Sequence, residues 1–197
     1  MSDTLKTIYN RRAIRSYKNM GLENELIEQV IAAGRMAPSA MNKQPCRYYV
    51  LTNKEKIKLL SKEIQEYAVK ELEHMHVKDV IKEAFRFLNL SNIVDTILKK
   101  DPIFHEAPVV VFITTPKNDT WGALDAGMCA QNMMLAAKAL GLDTCPVGFA
   151  KMVMNTKNYS ILNIPETEEV LLAVIIGYGD EQPKAHERIA NNTFFIS

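Results

Sequence analysis

The sequence lacks the features that would indicate a secreted or membrane-bound protein. Its three cysteines, Cys46, Cys129 and Cys145, are odd in number and widely spaced, which argues against a disulfide framework and favours a reducing compartment. No apolar run approaches the length of a transmembrane helix, and the first residues contain no hydrophobic segment typical of a signal peptide. We therefore predict a cytoplasmic protein without a membrane partner.

Several motifs of other function classes are also missing. The net charge of +1 creates no global field that would attract nucleic acid. There is no G-x-G-x-x-G or P-loop for a nucleotide, and no G-x-S-x-G or Cys/His arrangement for a nucleophile. His74 and His76 would not share one face of a helix, so we favour solvated histidines and predict no metal site.

What is present fits one globular domain. The 197 residues, with 47% hydrophobic and 24% charged side chains, are enough for a core and predict a single domain over 1–197. Apolar periodicity predicts helices at 4–10, 22–37, 54–67, 121–140 and 152–162, and strands at 47–52, 108–115 and 169–178. The segment 144–150 is predicted to be a short strand-like turn. The helix at 121–140 is apolar nearly all round, which predicts burial, with Thr120 as its N-cap. The charged stretch 69–100 is predicted to form a helical lobe at the periphery.

The stretch Gly34–Pro45 has the composition of a stiff binding loop. Its prolines fix φ, while Ser39, Asn42 and Gln44 supply neutral hydrogen-bonding groups that suit the edge of a flat heterocycle. The same residues also fit a surface loop with ordinary turn chemistry. Composition alone leaves both interpretations open.

Basic residues cluster near both ends of the chain. The segment R-R-A-I-R places Arg11, Arg12 and Arg15 together, and Lys184 and Arg188 follow the last predicted strand. Arginine forks match phosphate oxygens, so this pattern is a candidate anion site, and a solvated basic turn is the alternative.

In this order, four elements resemble the nitroreductase family of FMN-dependent oxidoreductases. They are R-R-x-x-R at 11–15, P-S-A-M-N-K-Q-P at 38–45, the helix 125–140 leading into C-P-V-G at 145–148, and the Lys184/Arg188 pair. The resemblance runs from about Ile8 to Arg188. It implies an α+β fold with a central, mostly antiparallel sheet flanked by helices. It also implies a homodimer with shared FMN sites, in which the C-terminal tail extends onto the partner subunit.

The resemblance further implies a set of cofactor-binding residues from both chains. Arg15 would lie near the pyrimidine edge of the flavin, and the Gly148 N–H near N5. The FMN phosphate would be held by Arg11, Lys184 and Arg188, with Arg12 and the backbone of Ala13 contributing from the same segment. The facing chain would contribute Pro38, Ser39, Ala40 and Asn42, with Gln44 near the ring, and one face of the ring would be lined by Pro146, Val147 and Gly148.

The activity implied is transfer of reducing equivalents from NADH or NADPH through FMN to nitroaromatic, quinone or related small acceptors, by a ping-pong mechanism. No protein side chain need act as the catalytic nucleophile, because the flavin carries the redox chemistry. The alternatives are a specialised member (reductive dehalogenation or flavin degradation), a flavin-binding redox sensor without turnover, and a small α/β protein with accidental basic clusters.

Two features depart from the family pattern. Cys46 stands where a large aromatic is frequent, and the 69–100 stretch matches no subgroup. The sequence leaves open whether Gln65 contacts FMN, and it encodes neither the acceptor nor a preference between NADH and NADPH.

Overall fold

A central antiparallel sheet organises the fold. The computed structural model describes residues 1–74 and 101–196. Its strands are β1 (Arg47–Leu51), β2 (Val109–Pro116), β3 (Asp143–Val147) and β4 (Glu168–Gly177). They are ordered β1-β2-β4-β3, and each neighbouring pair is antiparallel. The predicted α+β class with a central antiparallel sheet flanked by helices is confirmed.

Four α-helices accompany the sheet in the described part of the chain. They are α1 (Asp3–Asn10), α2 (Asn24–Arg35), α3 (Lys54–His74) and α4 (Gly122–Ala139). Short 3-10 helices span Ala40–Asn42, Gly148–Asn155 and Tyr159–Leu162. Among these described helices, none combines the length and apolar character that crossing a lipid bilayer requires.

Helices cover both faces of the sheet because its central strands are apolar on both sides. Along β2, Val111 and Ile113 pack with α2 and α4, whereas Val110 and Phe112 pack with α3 on the opposite face. This alternation follows from the two-residue period of a strand. A strand that is buried on both faces has a continuous apolar sequence, and this feature predicted β2.

Two predicted helix boundaries were wrong. α3 continues past Tyr67 to His74, since no glycine or proline interrupts it, and the first residues assigned to the 69–100 lobe therefore belong to α3. The rest of that predicted lobe, together with the predicted state of the histidine pair, lies outside the described residues. The α-helix predicted at 152–162 was wrong: the chain forms 3-10 helices at Gly148–Asn155 and Tyr159–Leu162 instead. The Thr156 hydroxyl, just past the first, donates to the Val153 carbonyl at 2.6 Å, a local bond that competes with a continuing helix.

The α4 helix departs from prediction at its start and on its outer face. Thr120 is not its N-cap; instead the Asp119 carboxylate accepts from the Trp121 N–H at 3.0 Å in the preceding turn. The prediction that the helix is buried all round was also wrong, because Trp121, Leu124 and Met128 are 50%, 51% and 38% exposed. An apolar helix face without cover in a single chain indicates a contact with another molecule.

Candidate functional site

The arginine segment lies against one edge of the sheet. The Ile14 N–H donates to the Thr144 carbonyl at 3.0 Å, and Ala13 forms a bridge with Thr144 of β3. This pairing brings Arg11 and Arg15 from the start of the chain to the end of β3. Burial raises the pKa of Cys145, and the positive charges of Arg15 and Arg11 oppose that rise.

Arg11 presents a buried nitrogen without a partner. Its Nη1 is buried and donates to no partner among the described residues, and Oγ1 of the adjacent strand residue Thr144 has no hydrogen-bond partner there either. Leaving a buried charged donor unpaired is costly, so an anionic oxygen placed there would supply the missing partner. Arg12 differs, because its Nη1 donates to the carbonyls of Tyr9 (2.6 Å) and Arg11 (2.8 Å) at the end of α1.

The residues after β4 fold back along the arginine segment. The Lys18 N–H donates to the Tyr178 carbonyl and the Asp180 N–H to the Ser16 carbonyl, both at 2.9 Å. The Glu181 carboxylate accepts from the Arg15 N–H. Sequence reasoning missed Glu181, although the acidic pair at 180–181 between Gly179 and the basic tail was a visible signal.

The predicted tail cations lie beyond the last strand. Lys184 and Arg188 are exposed on a stretch without helix or strand. Their place beside Arg11 at a bound phosphate stays a prediction.

The loop before β1 is held in a single conformation by its own side chains. Ser39 Oγ accepts from the Gln44 N–H (2.9 Å), and Gln44 Nε2 donates to Asn42 Oδ1 (3.2 Å). Met41, Asn42 and Gln44 all have left-handed φ values of 53°, 54° and 49°. Such conformations cost roughly 1–3 kcal/mol each for non-glycine residues and concentrate at functional sites. The loop is therefore preorganised rather than a plain surface turn.

The same loop borders an apolar groove. The groove, of about 520 Å³, is formed by Pro38, Ser39, Ala40 and Met41 on one side and by Trp121, just before α4, with Leu124, Asp125 and Met128 of α4 on the other. The buried Asp125 carboxylate accepts from the Ala40 N–H at 3.3 Å and so ties loop to helix. The predicted ligands Pro38, Ser39, Ala40, Asn42 and Gln44 all lie on this one loop.

The turn after β3 exposes backbone. A Cβ built on Gly148 would meet no atom within 4 Å, so its main chain faces open space. Pro146 is exposed at the same end of the strand. Val147 is 6% exposed and its side chain packs in the core, so only its backbone is available to a ligand.

The two halves of the predicted site lie at opposite edges of the sheet. The loop leads into β1 and the Gly148 turn follows β3, with β2 and β4 between them. Three inter-strand spacings of about 4.8 Å separate the edges by roughly 14 Å. Arg47 aligns through Thr114 with Val170 at the start of β4, and Val147 pairs with Ala173 of the same strand, so both halves face the same end of the sheet.

Fold and site together define an α+β protein with a cation-rich surface at one sheet edge and a rigid amide-bearing loop at the other. A family model described as "Nitroreductase family" matches residues 8–178. The chain therefore belongs to the nitroreductase family and is a flavin oxidoreductase of that family, which confirms the resemblance found in its motifs.

Individual relatives agree with this assignment. The chain is 28% identical to a nitrobenzene nitroreductase of Ectopseudomonas oleovorans, over 88% of this chain and 85% of that protein. It is 27% identical to a putative NADH dehydrogenase/NAD(P)H nitroreductase of Archaeoglobus fulgidus, over 95% of this chain and 91% of that protein. In fold it resembles the crystal structure of a nitroreductase with bound FMN from Desulfitobacterium hafniense, with a TM-score of 0.80 and 22% identity over 100% of both chains.

Proposed function

We propose that this protein is an FMN-dependent oxidoreductase that takes reducing equivalents from NADH or NADPH and passes them to nitroaromatic, quinone or related small acceptors in a ping-pong cycle. Family membership supports the proposal, as do the names of the relatives in Ectopseudomonas oleovorans and Archaeoglobus fulgidus. The observation that carries it is the buried Nη1 of Arg11, which lacks a partner among the described residues beside β3.

The residues at this edge fit the phosphate of FMN. That group carries about two negative charges, and a chain of net charge +1 must gather cations locally to bind it. Arg11 supplies a guanidinium already held against the sheet, and Lys184 and Arg188 of the exposed tail would complete the set. Arg12 and the Ala13 backbone fix the segment, since they are engaged with α1 and with β3.

Other residues would orient the flavin ring. When bound, FMN supplies hydride acceptance from the nicotinamide and electron transfer to the acceptor. The N–H of Gly148 would donate to the reactive edge of the ring, with Pro146 and the Val147 backbone beside it. Arg15 would stabilise negative charge that develops at the pyrimidine edge. Ser39, Asn42 and Gln44 would hold the ring through their hydroxyl and amide groups.

We propose that the site is shared between two copies of the chain. The sheet separates the loop from the Gly148 turn by roughly 14 Å, so the loop of a partner is needed to grip a ring bound at that turn. Apolar side chains that are exposed on a single chain support this. They are Leu5, Ile8 and Tyr9 of α1, Trp121 just before α4, and Leu124 and Met128 of α4. These faces would be covered in a homodimer built around α4, which contains the loop anchor Asp125.

We further propose that the C-terminal tail, the segment after β4, packs along strand β1 of the partner subunit. This strand is a sheet edge. Edge strands present unpaired backbone groups that an extended segment can satisfy. The tail ends in Phe194, Phe195 and Ile196, which are 83%, 96% and 97% exposed. Residues 1–197 would then form a single domain per subunit.

The visible absorbance of the purified protein tests the proposal. We expect a yellow protein, or a colourless one that becomes yellow when FMN is added and then oxidises NADH or NADPH once a nitroaromatic or quinone is supplied. A protein that is colourless and indifferent to FMN would exclude the proposal. A yellow protein without turnover would instead support the redox-sensor alternative, and turnover restricted to a halogenated substrate or to flavin itself would support a specialised member.

A further inference from the structure

A pair of cysteines lies beside the loop and takes no part in the proposed flavin site. Cys46 immediately precedes β1, two residues after Gln44, and Cys129 lies in the middle of α4. Cys129 is 6% exposed, and Cys46 packs against the core layer formed by α2 and α4. Both side chains line a cavity of about 460 Å³ beside β1, so the two residues face one shared opening.

Each of the two thiols shifts the pKa of the other. Hydrogen bonding to Cys46 lowers the pKa of Cys129 to about 6, against an opposing effect of burial, and Tyr48 adds a second lowering contact. The same contact with Cys129 raises the pKa of Cys46. Of the two thiols, Cys129 is therefore the more acidic and loses its proton first. Asp125 on α4 opposes ionisation of both, while Arg35 on α2 faces the neighbouring Tyr48.

We propose that Cys46 and Cys129 form a peroxide-sensitive dithiol that closes to an intrachain disulfide between β1 and α4. The inference does not depend on the function proposed above, because it concerns thiols of the chain itself. The third cysteine provides the contrast: Cys145 is buried, and its pKa is raised by that burial.

The chemistry balances with hydrogen peroxide as the oxidant. The Cys129 thiolate attacks one peroxide oxygen, the O–O bond breaks, and the released hydroxide takes up a proton to become water, leaving a sulfenic acid on Cys129. The Cys46 sulfur then attacks the Cys129 sulfur. An S–S bond forms, the S–O bond breaks, and the hydroxyl leaves as water with the Cys46 proton. Two thiols lose two electrons in total, and one peroxide becomes two waters.

Mass spectrometry of tryptic peptides tests the proposal directly. The three cysteines fall on separate peptides, 44–47, 118–138 and 139–151. After brief exposure of the native protein to hydrogen peroxide, we expect peptides 44–47 and 118–138 to be joined, with the loss of two hydrogens, and peptide 139–151 to stay free. Dithiothreitol should separate the pair again. Three free thiols after treatment, or a bond to Cys145 or between chains, would overturn the proposal.

Matched variants distinguish the attacking cysteine, Cys129, from the resolving cysteine, Cys46. In Cys46→Ala the resolving partner is lost, so at a pH high enough to form the Cys129 thiolate dimedone should trap a sulfenic acid on Cys129. In Cys129→Ala no sulfenic acid should form at Cys46 under the same exposure. Cys145→Ala should give the same linked peptides as the unmodified protein. If Cys145 were oxidised as fast as Cys129 in any of these proteins, the pair would have no special reactivity and the assignment would fail.

Discussion

The Asp125 carboxylate accepts a hydrogen bond from the Ala40 N–H at 3.3 Å and so joins the α4 helix to the loop that precedes β1. Asp125 is only 2% exposed, among apolar neighbours of the same helix. A buried carboxylate needs such a partner to offset the loss of water. The contact holds the strained loop conformation in place from outside the loop, at the groove where a second chain is proposed to pack.

We expect Asp125→Ala to weaken FMN binding although the residue is not assigned to the ligand. One lost hydrogen bond of about 0.5–1.5 kcal/mol corresponds to a decrease in affinity of up to roughly tenfold. Fluorescence titration with FMN measures it. Asp125→Asn keeps an acceptor oxygen and should restore most of the affinity. Equal loss in both variants would show that charge, not the anchor, is what matters.

Removing cations from both ends of the chain should release the flavin. In the double variant Arg11→Ala, Arg188→Ala, two charge-assisted contacts of about 1.5–3 kcal/mol each are lost, and each loss weakens binding roughly ten- to hundredfold. FMN should then separate from the protein on gel filtration. Lys56→Ala removes an exposed charge from α3 and should retain the flavin. A yellow double variant of normal affinity would refute the phosphate assignment.

The fold was largely predictable from the sequence because its strands are apolar runs and its helices have clear periodicity. The run at Val109–Pro116 is central in the sheet, as its composition indicates. The misjudged part was α4, since an apolar helix buried by its own chain and one reserved for a partner have the same composition. Leu124 and Met128 show that difference only in three dimensions.

Within the site, the sequence supplied candidate residues but not their local partners. Its loop residues form one preorganised unit, and the arginine segment meets β3. Nothing in the sequence indicated that the Arg12 guanidinium turns to carbonyls of α1, because that depends on where the helix ends. The contact of Glu181 with Arg15 depends on a return of the chain after β4, which periodicity does not encode.

The Glu168 carboxylate should be important for stability. Its Oε2 accepts from the Thr114 hydroxyl (2.6 Å) and the Tyr49 hydroxyl (3.0 Å), which links β4 to both β2 and β1. Glu168→Ala leaves the fully buried Thr114 hydroxyl unpaired and should lower the free energy of unfolding by about 1–3 kcal/mol. Urea denaturation measures this as a lower midpoint at unchanged slope.

Controls for Glu168 are available within the same turn. Glu166→Ala removes an exposed carboxylate two positions away and should change stability by less than about 0.5 kcal/mol. Glu168→Gln retains one acceptor oxygen, so its free energy of unfolding should lie between those of Glu168→Ala and Glu166→Ala. If Glu168→Ala were as stable as Glu166→Ala, the network would contribute nothing to folding.

Arg15 should set the midpoint potential of the flavin as well as contribute to its binding. A positive charge at the pyrimidine edge favours the reduced ring, so Arg15→Gln should make reduction harder and move the midpoint potential to a more negative value. Spectroelectrochemistry of the FMN-loaded protein measures the shift. Arg15→Lys keeps the charge and should stay near the original potential. An unchanged potential in Arg15→Gln would remove the proposed role, whatever its effect on affinity.

The thiol pair should show a pH dependence that identifies its thiolate. Because hydrogen bonding to Cys46 lowers the pKa of Cys129 to about 6, alkylation of Cys129 by iodoacetamide should rise about tenfold per pH unit below that value and level off above it. Cys46→Ala removes the donor, so the pKa of Cys129 should rise and the plateau should move to higher pH. Quantifying peptide 118–138 by mass spectrometry gives the rate. A profile with the same midpoint in both proteins would mean that Tyr48 or the surrounding charges, and not Cys46, set the ionisation of Cys129.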